Sequence, residues 1–189
     1  MTHRRARLHL PTEVLSRVWR VADTTVTIVP MGWARLAAID AAWRQQRDPA
    51  DISLYWSWAM IFQRHRLVAA VVASSGETVA LFSSRPGLVE LASGKFLRID
   101  RLEVAPTRQR TRIGSAVIAL VAFLAEALGA NGLLLATDPT RADLHQFYAA
   151  LGGTCGEVAG WQSEPGLVPW QWSGEAFALL VEAASAYRV

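Results

Sequence analysis

The sequence predicts a mixed α/β or α+β domain, a sheet with helices packed on its faces. Three observations carry this. Apolar residues alternate in some stretches, as half-buried strands require, and recur at helical spacing in others. Taken in chain order, those stretches read β-α-α-β-β-β-α-β-α-β. The chain has 189 residues, 52% hydrophobic and 19% charged. That is enough for one domain with a full core, and it excludes a disordered tail or a coiled-coil rod.

The elements follow in order. Residues 1–20 form a basic N-terminal extension holding a short helix that opens at Pro11-Thr12-Glu13, and residues 21–189 form the single domain. "TTVTIVPM" alternates and is β-branched, bounded by Asp23 and Pro30, so it is a strand. "WARLAAIDAAWRQQ" has helical spacing and stops before Asp48-Pro49. "ISLYWSWAMIFQRH" reads as a second helix, although its aromatics also suit a strand. Two apolar runs around Ser75-Gly76-Glu77 predict a β-hairpin. "KFLRIDRLEVAP" is a strand ended by Pro106, and "IGSAVIALVAFLAEALGA" is a buried helix closed by Gly129. "GLLLATD" is a strand buried on both faces, and "PTRADLHQFYAALGG" is a helix opening at Pro139. For the tail, including "FALLVEA", periodicity leaves strand and helix open.

Charge and cysteine content narrow the function classes. The net charge is +3, but residues 1–20 carry five arginines against Glu13 alone, which gives +4 there and −1 elsewhere. Such an arm fits either a solvated extension or a contact with nucleic acid or an acidic partner. The longest apolar run, Ala116 to Ala125, is well short of the roughly 18 residues of a membrane span. One cysteine, Cys155, offers neither a disulfide nor a metal-site spacing, and it is expected to be buried and inert. A cytoplasmic, metal-free protein is the expectation.

The most informative stretch is "VAPTRQRTRIGSA", residues 104–116. A strand ends, a short polar loop follows, and a helix begins near Ile113. The first turn of that helix has unpaired N–H groups and the positive end of the helix dipole. Gly114 permits close approach to the backbone, Ser115 adds a hydroxyl, and Arg108, Arg110 and Arg112 add charge. This is an anion site suited to a pyrophosphate.

The same residues resemble the acyl-CoA signature of the GNAT N-acetyltransferase superfamily, with Gln109 in its first position and Gly114 in its last. "DLHQFYAALGG" resembles the family's FY-x-x-LG helix, with Tyr148 as its tyrosine. The two landmarks are separated, as in the family, by a helix, an apolar strand and a second helix. The resemblance implies a mostly antiparallel sheet of six to seven strands with splayed central strands and helices on both faces. It implies acetyl-CoA as cofactor, its pantetheine arm along Leu102, Glu103 and Val104, with a bulge opening the sheet there. The pyrophosphate would lie on Arg110, Thr111, Arg112, Ile113, Gly114, Ser115 and Ala116, beside Gln109. Arg112 stands where the signature has a glycine, and a side chain at positive φ costs roughly 1 kcal/mol or more. Arg141 stands where the family often has asparagine, and its side chain cannot accept a hydrogen bond.

The implied reaction is direct transfer of an acetyl group to a primary amine of a small molecule, protein or peptide. Tyr148 is the candidate general acid, or else a core tyrosine lining the channel. Strict alternation puts Arg98, Asp100, Leu102 and Val104 on one face and Ile99, Arg101 and Glu103 on the other. In some relatives a carboxylate at the place of Arg98 is the base. Asp100 is therefore the first candidate here and Glu103 its substitute, each also suited to an ion pair with a neighbouring arginine. His145, one turn before Tyr148, can shuttle protons. Trp56, Trp58 and Trp170 are candidates for an aromatic acceptor cleft, or for core and homodimer packing. Two other functions share the fold: a toxin-type acetyltransferase acting on aminoacyl-tRNA through the basic N-terminus, and a non-catalytic acyl-CoA-binding regulator.

Overall fold

The computed structural model describes residues 10–43, 56, 59–61, 67–85 and 87–189. Among these, the helices are α1 (Thr12–Leu15), α2 (Trp33–Trp43), α3 (Ile113–Ala127), α4 (Ala142–Ala150) and α5 (Gly174–Ala186). The strands are β1 (Trp19–Val21), β2 (Thr24–Pro30), β3 (Leu67–Ala73), β4 (Thr78–Ser84), β5 (Val89–Leu91), β6 (Gly94–Val104), β7 (Gly132–Thr137), β8 (Thr154–Cys155) and β9 (Val168–Ser173). They form one mixed sheet in the order β1-β2-β3-β4-β6-β7-β9-β8, with β5 added to β6. Among the described strands only the β6–β7 pairing is parallel. The count exceeds the expected six or seven because β1, β5 and β8 are very short strands.

Two layers cover the sheet. On one face α3 is buried at Ile113 and throughout Ala116–Ala125. It packs with α5, Tyr148 and the strand residues Ile28, Val71, Phe82, Leu97 and Leu135 into the main core. On the other face Leu36, Ile39 and Trp43 of α2 pack with Trp56, Met60, Val68, Val72 and Leu81. Residues 59–61 are helical, as expected for that segment; the rest of the predicted second helix, Trp58 included, lies outside the described residues. Val14 and Trp19, from the segment read as an N-terminal extension, are buried in the main core. β1 pairs with β2, and Trp19 also bridges to Arg188.

Local chemistry sets the boundaries. α3 stops where Gly129 takes φ +83, and Ala130 N–H then reaches back to Ala125 O at 2.9 Å, a left-handed C-terminal cap. α4 starts at Ala142 rather than Pro139, because Asp138 Oδ1 accepts from Thr140 N–H at 2.8 Å and closes a turn first. The tail resolves into both options: β9 takes Val168–Ser173, and Phe177 and Leu180 of "FALLVEA" are buried on α5.

Two irregularities of β6 position the site. The ladder to β4 runs Ala80↔Val104 to Ser83↔Arg101 and then jumps to Ser84↔Ile99, leaving Asp100 as the extra residue of a bulge. The bulge shifts the parity expected from strict alternation. Leu97, Ile99, Leu102 and Val104 all pack toward the α3 face, whereas Glu103 pairs with Leu81 of the α2-side cluster. The ladder from β6 to β7 has only three pairs, Phe96↔Gly132 to Arg98↔Leu134. Beyond Arg98, β6 stays with β4 and β7 stays with β9, so the two strands part.

Candidate active site

The gap between β6 and β7 is the centre of the site. Ala105 N–H donates to Val79 O of β4 at 2.9 Å, so the backbone groups of Leu102 and Val104 point the other way, into the gap. Gln109 reaches back over this edge, its Nε2 donating to Val104 O at 3.3 Å.

The turn after β6 carries the strain anticipated at Arg112. Arg110 and Arg112 have φ of 62° and 65°, both left-handed, and Arg112 is the N-terminal cap residue of α3. Alternating backbone handedness turns successive amides to one side and makes an anion-binding concavity. Ala116 N–H is the first to bond into the helix, to Arg112 O at 3.1 Å. The amides of Ile113, Gly114 and Ser115 therefore face outward from the helix end. The arginine side chains of Arg110 and Arg112 are exposed beside them. Arg108 is not part of this charge. Its Nε and Nη2 hold both oxygens of Glu77 at 3.2 and 2.6 Å, pinning the loop to the β3–β4 turn. Gly114 serves close packing: a Cβ there would stand 3.4 Å from Phe147 Cζ of α4.

Tyr148 lies on the α3 face in an aromatic cluster with Phe147, Trp170 and Trp172, ring centroids 5.3–5.6 Å away. His145 stands edge-on to Trp170 at 5.5 Å, and its Nε2 is 3.1 Å from Asp138 O. Burial pushes the Tyr148 phenol up to about 12, only partly offset by the charge of Arg141. Trp172 Nε1–H donates to Leu151 O at 3.0 Å, whereas the buried Nε1–H of Trp170 has no hydrogen-bond partner among the described residues.

The opposite side of the gap is charged. Glu103 is 6% exposed; Arg101 Nε donates to its Oε1, and its Oε2 is buried without a hydrogen bond among the described residues. Asp100, set on this side by the bulge, lies with Oδ1 2.9 Å from Arg85 Nε and 3.4 Å from Arg98 Nε. The same two arginines converge on Glu164 Oε1, Arg85 Nη2 at 2.7 Å and Arg98 Nη2 in a close ion pair. Arg98 also lies over the Trp161 ring, 5.4 Å from its centroid. Among the described residues no cluster of His, Cys, Asp or Glu could hold a metal ion.

Comparison with known proteins gives this arrangement its family. Residues 33–152 match the model of the acetyltransferase (GNAT) family. The chain belongs to the GNAT acetyltransferase family. The fold agrees with solved GNAT structures at low sequence identity. Mycobacterium smegmatis RimJ, in complex with CoA-disulfide, superposes with a TM-score of 0.62 at 18% identity, covering 90% of this chain and 94% of that one. The GNAT domain of S. lividans PAT gives 0.63 at 14% identity, covering 87% and 99%. PaiA N-acetyltransferase from Thermoplasma acidophilum, in complex with coenzyme A, gives 0.53 at 9% identity, covering 79% and 99%. No curated protein matches.

In this GNAT protein the residues named from sequence fall in different places. Leu102, Val104, Ile113, Ala116 and Tyr148 pack in or against the α3-side core, and Gln109 to Arg112 form the turn before α3, with Gly114 and Ser115 in its first turn. Asp100 and Glu103 lie on the other side. Trp170 and Trp56 are fully buried on opposite faces of the sheet, Trp170 beside Tyr148 and Trp56 against α2, and they do not meet. Arg141 caps α4 and grips Asp143 at 2.9 and 2.8 Å, pulling its carboxyl down to about 2. Cys155 is exposed, a correction to the buried thiol expected: it sits on a two-residue edge strand whose residues are both exposed. Sequence reading missed Arg85 and Glu164. Arg85 follows β4 in a Ser-Arg-Pro-Gly stretch and Glu164 lies in the later loop that holds Trp161, too far apart in the chain to be associated.

Proposed function

We propose that the protein is an N-acetyltransferase that moves an acetyl group from acetyl-CoA to a primary amine by direct transfer across the β6–β7 gap. The observation that carries this reading is the bare backbone edge of Leu102 and Val104, leading straight to the outward amides of Ile113 to Ser115. An extended amide-bearing chain with a diphosphate at its end fits that path, pairing as an added strand before its anion meets the turn. The residues present fit such a cofactor, with one adjustment: Gln109 Nε2 must leave Val104 O if a ligand amide is to use that acceptor. Arg112 in its left-handed pose presents the local amides as the expected glycine would and adds a cation. When bound, acetyl-CoA supplies the activated carbonyl and a thiolate leaving group.

The chain's own groups then divide the remaining work. The amine must shed a proton, its nitrogen bonds the carbonyl carbon, the carbon–sulfur bond breaks, and the thiolate ends as thiol. Tyr148, with its phenol raised to about 12, is a hydrogen-bond donor throughout the working range. Handing over its proton to a thiolate of ordinary pKa, about 8.5, is uphill by roughly 5 kcal/mol. Its role is therefore to stabilise the leaving sulfur, with solvent completing the protonation. For the base, Glu103 is favoured over Asp100: its Oε2 is buried and has no hydrogen-bond partner among the described residues, whereas the geometry commits Asp100 Oδ1 to two arginines. An amine panel assayed for thiol release, with Tyr148→Phe and Glu103→Gln as controls, tests the proposal. Coenzyme A binding without release from any amine overturns it.

A further inference from the structure

Arg85, just past the end of β4, and Arg98 of β6 converge on one carboxylate oxygen of Glu164, a residue 79 and 66 positions away in sequence. Arg98 is almost enclosed, its side chain 14% exposed, with Trp161 against one face of the guanidinium. Glu164 is different: its side chain is 44% exposed, on a turn tied by Leu167 N–H to Glu164 O at 3.1 Å and by Ser163 Oγ to Leu167 O at 3.0 Å. Burial opposes its ionisation, but the hydrogen bond and charge of Arg98, with Arg85 behind it, hold its carboxyl below the ordinary range. The pair lies where β6 and β7 part, on the side of the gap away from Tyr148 and the amides of α3. A forked guanidinium site at that position is built for a planar oxyanion.

We infer that the Arg85–Arg98 pair is the docking point for a carboxylate carried by the acceptor amine, and that Glu164 occupies it as a resident stand-in. This rests on the acetyltransferase reading and narrows its substrate class to amino-carboxylates. An incoming carboxylate replaces Glu164 on both arginines, while Asp100 keeps their second charge compensated, so the exchange leaves no buried cation unpaired. Because Glu164 is tethered, it competes at an effective concentration on the order of millimolar. The acceptor KM of the native protein therefore carries that handicap, and removing Glu164 lifts it.

The test is steady-state acetylation of matched pairs, amino acids and straight-chain ω-amino acids against their primary amides, by the native protein, Glu164→Gln and Arg98→Gln. The native protein acetylates the carboxylate members with at least about tenfold higher kcat/KM than the amides. Glu164→Gln, a conservative change at a half-exposed side chain, lowers KM for the carboxylates about fivefold or more and leaves that for the amides where it was. Arg98→Gln, if it folds, erases the preference. Equal or better use of the amides, or a Glu164→Gln effect common to both classes, overturns the inference while leaving the acetyltransferase intact. Absence of thiol release with every amine would instead sink the broader reading.

Discussion

Tyr148 meets Trp172 edge to face, ring centroids 5.6 Å apart and planes at 87°. That enclosure is what keeps the phenol neutral, because ionising it would place a charge among apolar rings. In an ultraviolet titration one tyrosine of the native protein should ionise near pH 12, about two units later than an ordinary phenol, and Tyr148→Phe should delete that step. The folded state holds the proton where the unfolded chain has lost it. Stability is therefore fully present below pH 10 and declines as pH rises toward 12. The same variant should lower kcat by about tenfold to a hundredfold, with little change in coenzyme A affinity.

Arg112 tests the turn in the opposite direction. Its φ of 65° costs an L-residue roughly 1 kcal/mol relative to glycine. Arg112→Gly should stabilise the protein by about that amount in denaturant unfolding. Loss of the cation should weaken coenzyme A binding severalfold, with a shallower salt dependence. A destabilised glycine variant would contradict the left-handed conformation.

Gly153 shows how closely the aromatic cluster is packed. A Cβ there would lie 2.7 and 2.8 Å from Trp172 ring atoms and 2.9 Å from Tyr148 O. Gly153→Ala should cost about 2–3 kcal/mol and alter the near-ultraviolet circular dichroism of the tryptophans. An alanine variant as stable as the native protein would mean that Trp172 has room to move.

The Glu77–Arg108 pair predicts an acid-side effect. The hydrogen bond from Arg108 holds Glu77 below its ordinary 4.5. A depressed carboxyl stabilises the fold above the unfolded value and loses that contribution as pH falls through the folded one. Both side chains are about one-third exposed, so screening keeps the effect below about 1 kcal/mol. Glu77→Gln should therefore cost a small amount of stability at neutral pH, a cost that shrinks as pH falls below the ordinary carboxylate range, as measured by denaturant midpoints.

The parts of the fold legible in the sequence were those where period and burial agree. α3 and β7 are apolar enough that few other assignments survive, and the turn proposed for the cofactor was picked out by its residue types. The bulge at Asp100 was invisible, because counting alternate residues assumes that none is extra, and a single insertion moved Ile99 to the face of Leu102. Arg108 looked like one of three free cations because its partner, Glu77, stands 31 residues earlier on a neighbouring hairpin. The meeting of Arg85, Arg98 and Glu164 is purely tertiary. No spacing rule links residues that come together only when loop 156–167 folds back over β6.

The three-rung ladder between β6 and β7 has a consequence for solvent exchange. Past Arg98 each of those strands behaves as a sheet border in the middle of the molecule, and the peptide hydrogens of Leu102 and Val104 stand as open as those on an outermost strand. A partner that hydrogen-bonds along that border would close an interior seam. Deuterium uptake should then slow there first, and coenzyme A should draw its protection pattern through the centre of the sheet rather than at its rim.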